Sequence, residues 1–295
     1  MQIYRKRSRA LSIEAMWPIG VTVAVLAFLE PTQAQSSCLL EVENVKLIAD
    51  NVPTLLGYAE QDFSKEKSKD VSTVDKILRP IVTEVFGDSA LSQKLIEKFG
   101  SRDCDSPALL AIGKLLKESN AKLANQGTQT STPEKVASEE RVKELEALAD
   151  SFALPELFAE NSVAGAAMNA ALEIYFTEKP EELAHLDGNE AKRLAEDILP
   201  ELRQREGNPI RFDRDVSRGI AKAQLTWVLS TLPEDDLKQL KDFYASPAVM
   251  AERDRLIASY KEQIDRYSVT MLVKALEAFK PHFNGEASLS DRNKK

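Results

Sequence analysis

The chain has few of the residues that catalytic and metal sites use most often. Its 295 residues include two cysteines and two histidines. Two histidines are too few for a His-rich zinc site, and neither lies near a cysteine in the sequence, which argues against a catalytic thiol. The sequence also has no P-loop, no dinucleotide-binding G-x-G-x-x-G and no G-x-S-x-G nucleophile motif. We therefore predict no catalytic residue, no cofactor and no metal ion.

Glycine and proline are scarce as well. The 11 glycines and 13 prolines are few for a loop-rich β protein of this length. Leucine, alanine, glutamate and lysine dominate the sequence, and these residues favour helices. An apolar content of 43% and a charged content of 29% are typical of globular proteins. The composition predicts an all-α fold.

The chain also lacks an excess of basic charge. Its formal net charge is −8 at pH 7. Proteins that bind nucleic acids neutralise phosphates with lysine and arginine, and anionic membranes attract polybasic segments. The sequence therefore predicts no nucleic-acid partner and no adhesion to an anionic membrane surface.

The first 34 residues are typical of an export signal. Basic residues at positions 5, 6, 7 and 9 precede an uncharged apolar run over residues 16–29, and Thr32-Gln33-Ala34 offers small residues for cleavage. The apolar run is shorter than the roughly 20 residues that a membrane-spanning helix needs. We predict cleavage after residue 34, a periplasmic location and no membrane span in the mature chain. An uncleaved membrane anchor is the alternative.

Export determines how the two cysteines are interpreted. Exported thiols usually oxidise, so we predict a disulfide between Cys38 and Cys104. It would close a loop of about 66 residues, which corresponds to about 4 kcal/mol in the chain-entropy model. The alternative is a lipid-modified Cys38, although the preceding Gln35-Ser36-Ser37 lacks the apolar residue usual before such a cysteine.

The hydrophobic pattern predicts a helical bundle of two units. The polar residues 125–137 are a candidate linker between helical domains over residues 38–124 and 138–283, and the polar residues 284–295 are a candidate disordered tail. Pro53 is expected to kink or end the first helix. A long helix with one apolar stripe is predicted from Pro247 to about residue 280.

A Ser-Pro pair occurs twice in similar surroundings. Residues 98–111 and 242–251 both place Ser-Pro-Ala after a phenylalanine. Serine is a favoured N-cap and proline a favoured first helical residue. We therefore predict helix starts at Ser106-Pro107 and at Ser246-Pro247. The repeated pattern indicates an internal duplication of one helical unit, and two unrelated helical segments are the alternative.

The residues before the second pair predict a tight helix corner. Thr231 and Glu234 have the spacing of a capping box that would start a helix. Phe243 would end that helix and Ser246 would open the next one. This predicts a tight helix-turn-helix corner with Phe243 and Tyr244 as its apolar plug.

This corner resembles a known family. Residues 236–247 match the signature E-L-x-x-L-x-x-F-Y-x-S-P-x-G of exported bacterial helical domains of unknown function, with Asp236 in place of glutamate. The glycine of the signature, which would ease close packing after the corner, is replaced by Val249. The resemblance implies a periplasmic α-helical domain without an established reaction, and it supplies no catalytic residues.

Two patterns of ionisable residues were weighed as sites. Glu182 and His185 have the Glu-x-x-His spacing of di-iron bundles, but no second motif accompanies them, so a solvated helix face is expected. The acidic runs at residues 213–215 and 234–236 could do acid–base work if burial separated their pKa values. In the run at 234–236 the helix dipole already explains carboxylates in a first turn.

The sequence thus predicts an exported helical protein that interacts with a protein or peptide of the cell envelope. A groove beside the long helix is the predicted docking place. An envelope hydrolase that uses carboxylate residues is the alternative, and it would require two facing carboxylates with shifted pKa values. A purely structural envelope protein is a third possibility, and the oligomeric state stays open.

Overall fold

The computed structural model describes residues 38–67, 70–87, 90–99, 104–126, 138–176, 180–204 and 212–292. These residues all lie in one compact unit that spans Pro31–Lys295. The predicted signal peptide and most of the predicted linker lie outside the described residues. None of the helices in the described ranges has the length and hydropathy of a membrane-spanning segment.

All regular elements of the described ranges are helical, as predicted. In chain order they are α1 (Leu39–Val42), α2 (Val45–Asp50), a 3₁₀ turn (Val52–Thr54), α3 (Leu55–Lys67), α4 (Ser72–Phe86), α5 (Ala90–Phe99), α6 (Pro107–Gln126), α7 (Glu139–Ser151), α8 (Leu154–Tyr175), α9 (Pro180–Ala184), α10 (Gly188–Gln204), α11 (Arg214–Ser230), α12 (Glu234–Tyr244) and α13 (Pro247–Arg292). The prediction of an all-α fold with a long C-terminal helix is confirmed.

Helix α8 lies at the centre of this unit. It is buried along almost its whole length and contacts α3, α11 and α13. Its small residues permit this crowding, because small side chains let neighbouring elements approach closely. A Cβ atom at Gly165 would lie 2.3 Å from the ring of Phe212. Glycine at this position is therefore required by the packing of the segment that leads into α11.

Helix α13 is the long side of the bundle. It packs against α4, α5, α8, α9 and α10. Its predicted apolar stripe is buried at six positions and half-buried at Tyr267; the buried members are Leu256, Tyr260, Ile264, Met271, Ala275 and Phe279. The helix runs to Arg292 rather than ending near residue 280. It continues through Pro281, which lies inside the helix.

The N-terminal part of the unit is held by a disulfide and a proline break. Cys38 and Cys104 are bonded, with their Cα atoms 4.5 Å apart, so the predicted disulfide is confirmed and neither thiol is free. Helix α2 ends at Asp50, and a 3₁₀ turn that contains Pro53 separates it from α3. The predicted break at Pro53 is therefore also confirmed.

The segments on either side of the predicted linker share one hydrophobic core. Contacts between α3 and α8 and between α4 and α13 join residues 38–124 to residues 138–283. The buried apolar side chains of both segments belong to the same cluster. Each segment buries apolar surface that its partner covers, so we describe them as two parts of one unit.

Candidate functional site

The predicted helix corner is present where the sequence placed it. Helix α12 ends at Tyr244 and α13 begins at Pro247. Phe243 and Tyr244 are both buried, and their rings lie 5.0 Å apart. Val249 is fully buried, so the corner accommodates a side chain where the family signature has glycine.

The other Ser-Pro pair also starts a helix. Helix α6 begins at Pro107, and the Ser106 hydroxyl oxygen accepts a hydrogen bond from the Leu109 amide at 3.3 Å.

The predicted capping box of α12 is wrong. The Thr231 hydroxyl donates to the Val228 carbonyl at 2.7 Å, and Pro233 occupies the N-cap position of α12. Thr231 thus belongs to the end of α11, since both its hydroxyl and its backbone amide donate to the Val228 carbonyl.

The sequence did not single out Glu43, which is buried beneath the corner. Its side chain follows α1 and accepts hydrogen bonds from the amides of Ala153 (2.7 Å) and Leu154 (2.9 Å) and from the Tyr244 hydroxyl (2.6 Å). Burial raises the pKa of Glu43 to about 7, although these three hydrogen bonds and the charge of Arg253 act to lower it. Glu43 therefore joins α1, the start of α8 and the corner through one carboxyl group.

The backbone around Glu43 explains its position. Asn44 has a positive φ of 52°, a conformation that asparagine tolerates better than most residues. Its side-chain amide donates to the Gly113 carbonyl at 3.3 Å, which fixes the turn between α1 and α2 against α6. Arg253 donates to the carbonyls of Asp150 and Phe152 at 3.1 Å each, and thereby closes the end of α7 beside Glu43.

A second carboxyl group with a raised pKa is part of a pair. Glu60 on α3 and Asp75 on α4 hydrogen bond to each other, and Arg79 forms ion pairs with both. Burial, followed by the hydrogen bond and the charge of Asp75, raises the pKa of Glu60 to about 7. Burial acts to raise the pKa of Asp75 too, but its hydrogen bonds with Glu60 and Arg79 bring that pKa below its ordinary value. Glu60 is thus the carboxyl group of the pair that has the higher pKa.

A third charged cluster ties four helices together. Glu160 on α8 is 2% exposed and accepts hydrogen bonds from Arg203 (2.6 Å) and Arg214 (2.7 Å). Arg203 also pairs with Asp265 on α13. Two arginines and two carboxylates balance their charges, so this cluster is a structural network.

Helix α11 is fixed to the bundle by ion pairs along one side. Besides Arg214, Arg218 forms an ion pair with Glu156 of α8 at 2.7 Å, and Lys222 forms one with Asp150 of α7 at 2.7 Å. Four apolar residues of this helix are buried toward the core: Ala221, Leu225, Val228 and Leu229. These contacts determine which side of α11 points to the solvent.

The solvent side of α11 is apolar. Val216 is 37% exposed and Ile220 is 53% exposed, the highest value among the large hydrophobic residues of the described part of the chain. Gly219 and Ala223 are exposed beside them, and Trp227 is half-buried at the end of the same line. We refer to Val216, Gly219, Ile220, Ala223 and Trp227 as the α11 face.

The α11 face was not predicted, although the sequence contains a pattern that indicates it. Positions 216, 220, 223 and 227 have the 4-3-4 spacing of one helix face, while the buried residues of α11 follow a second apolar line. Two apolar lines on one helix indicate two covered sides, and the core covers one of them. Trp227 is half-buried: it packs against the core and borders the α11 face.

The two acidic runs weighed from the sequence lie at the starts of helices. Glu234, Asp235 and Asp236 occupy the first turn of α12, and the Asp213 carboxylate accepts from the amides of Asp215 and Val216 at 2.9 Å as the N-cap of α11. Helix α9 ends at Ala184, so it does not extend over the Glu182–His185 spacing. Among the described residues, no group of three or more histidine, cysteine, aspartate or glutamate side chains is arranged to hold a metal ion.

No family model, no curated protein and no solved structure matches the chain. The resemblance of residues 236–247 to the exported helical-domain signature therefore stays a prediction. The α11 face and the two carboxyl groups with raised pKa are thus interpreted from their own geometry.

Proposed function

We propose that this protein is an exported interaction module of the cell envelope that docks a partner protein or peptide on the α11 face. The exposed apolar side of α11 supports the proposal. Large apolar side chains grouped on one helix face mark interaction sites more often than scattered ones do. A partner helix laid along α11 would cover them in the helix-on-helix mode of recognition.

The docking place differs from the groove expected beside the long helix. Among the described elements, seven helices contact α13: α1, α4, α5, α8, α9, α10 and α12. Helix α11 instead has the core on one side and solvent on the other. The α11 face is therefore where the partner is proposed to bind.

A pulldown with two matched variants tests this function. Ile220→Asp places a charge in the middle of the α11 face, and Ile96→Asp makes the same change at a 36% exposed isoleucine of α5. The oxidised protein and both variants are used as bait with envelope extract. A stoichiometric partner that is kept by Ile96→Asp and lost by Ile220→Asp supports the function. A partner that binds all three baits equally contradicts it.

The alternative function, a hydrolase that uses carboxylates, is favoured by the Glu60–Asp75 pair. Two carboxyl groups whose pKa values are driven apart can serve as acid and base. Arg79 gives the same pair a structural explanation, so the hydrolase is the second candidate. An activity screen on cell-wall and peptide substrates tests it, with Glu60→Gln as the inactive control. Hydrolysis that persists in Glu60→Gln would refute a role for the pair.

A further inference from the structure

The glycine in the middle of the α11 face is not required by the protein's own packing. Glycine destabilises a helix interior relative to alanine. A Cβ atom at Gly219 would meet nothing within 4 Å, whereas one at Gly165 would collide with Phe212. Glycine on an exposed helix surface is useful where another backbone approaches closely. Gly219 therefore leaves room for the backbone of a partner to approach the α11 face closely.

The order of side chains along the α11 face fits a reversed copy of itself. The 4-3-4 spacing of Val216, Ile220, Ala223 and Trp227 is that of the seam between two paired helices. If a two-fold axis passes between residues 221 and 222, Ile220 of one copy meets Ala223 of the other, and Val216 meets Trp227. Each larger aliphatic or aromatic side chain then lies opposite a smaller one, which is the self-complementarity that a two-fold interface needs.

The charges along α11 also favour a second copy. The chain has a net charge of −8, so two copies repel each other over most of their surface. Ser217, Gln224 and Thr226 beside the seam are uncharged, and the exposed Asp215 lies opposite Val228 of a reversed copy. The nearby Arg218 and Lys222 are already paired with carboxylates of their own chain. In this register the like charges that come close are Lys222 and Lys222, and each of these lysines is paired with Asp150 of its own chain.

We propose that the partner of the α11 face is a second copy of this chain, with the two α11 helices packed antiparallel about a two-fold axis between Ala221 and Lys222. This inference rests on the proposed function, because it names the partner for the same face. A single helix pair makes a small interface, so the dimer is expected to be reversible and dependent on concentration.

Sedimentation equilibrium over a wide concentration range tests the dimer. The oxidised wild type is expected to shift from monomer to dimer as its concentration rises. Ile220→Asp should raise the dimer dissociation constant by at least about tenfold, since it puts one charge per copy into the seam. Ile96→Asp should leave the constant unchanged. Circular dichroism checks that each variant keeps its helical content.

A pair of glycine variants tests the close approach separately. Gly219→Ala adds one methyl group to the seam, and Gly57→Ala adds one on α3, where a Cβ atom would also meet nothing within 4 Å. Both changes should favour the helix, but only Gly219→Ala should weaken the dimer. Equal dimer constants for the two variants would show that the seam does not pass over Gly219.

Cross-linking checks the register of the two helices. The proposed axis brings Lys222 of one copy close to Lys222 of the other. An amine cross-linker applied to a mixture of light and heavy isotope-labelled protein should therefore give a mixed Lys222–Lys222 product. A dimer without this product would overturn the antiparallel register.

The outcomes separate this inference from the proposed function. A wild type that stays monomeric at all concentrations overturns the dimer. If an envelope partner is then still lost with Ile220→Asp, the face is an interaction surface for another protein. If neither the dimer nor the partner depends on Ile220, both the inference and the proposed function are refuted.

Discussion

Glu43 should make the stability of the protein depend on pH. Its folded-state pKa is about 7, above the ordinary value of 4.5. A carboxyl group with a raised pKa stabilises the fold fully below its unfolded pKa, and this stability is lost as the pH rises through the folded pKa. A difference of this size corresponds to about 3 kcal/mol in total, because one pKa unit is about 1.4 kcal/mol. Most of the loss falls between about pH 5 and about pH 8.

The variant Glu43→Gln isolates this contribution. An amide stays neutral at every pH, so it removes the loss that charging Glu43 causes. It also leaves one of the two backbone amides of Ala153 and Leu154 without an acceptor, at a cost of about 1 to 3 kcal/mol that does not change with pH. The difference in unfolding free energy between the variant and the wild type should therefore shift by about 2.5 kcal/mol in favour of glutamine between about pH 5 and about pH 8.5.

Urea unfolding at both pH values, with the disulfide kept oxidised, measures this difference. Glu41→Gln is the matched control, since Glu41 is an exposed neighbour on α1 and should change stability by less than about 0.5 kcal/mol. The comparison cancels the titration of all other groups, including Glu60. A difference between Glu43→Gln and the wild type that is the same at both pH values would refute the reasoning.

Three further changes have expected outcomes. Gly165→Ala should lower the unfolding free energy by about 1 to 3 kcal/mol in urea, because the new methyl group overlaps the ring of Phe212; an unchanged value would contradict this packing. Replacing Cys38 and Cys104 with serine should cost about 4 kcal/mol in the same assay. Reducing the wild type should give a similar loss, and a reductant without effect would argue against the disulfide. Glu60→Gln should reduce the alkaline loss of stability, since an amide can donate to Asp75 without gaining charge; the thermal midpoint at several pH values measures this, and an unaltered pH profile would rule it out.

Local signals in the sequence were sufficient to predict the helices and the disulfide. Apolar spacing predicted the stripe of α13, Pro53 predicted the break before α3, and the Ser-Pro pairs predicted two helix starts, because each of these depends on neighbouring residues. The disulfide followed from having two cysteines and an expected export. The Thr231 capping box failed because that hydroxyl donates to the Val228 carbonyl of the preceding helix, and the next helix begins two residues later with Pro233 as its N-cap.

The buried polar contacts could not be predicted in the same way. Glu43 binds groups 110 and 201 residues away, and no local pattern specifies those partners. The sequence did contain an indication that Glu43 is buried, since it lies four residues after Leu39 on a line of buried apolar positions. A charged residue on such a line indicates a buried partner, but its identity depends on the packing of distant helices.

The position of Glu43 also bears on when folding can be completed. A ribosome makes the chain from its N-terminus, so Glu43 leaves the exit tunnel long before Tyr244 is added. Until the corner between α12 and α13 exists, α1 has neither the hydroxyl that completes the hydrogen bonds of its carboxyl group nor Arg253 beside it. Contacts over such sequence distances form slowly, since the loop between them must close first. Helix α1 therefore completes these contacts only after α12 and the start of α13 have been made.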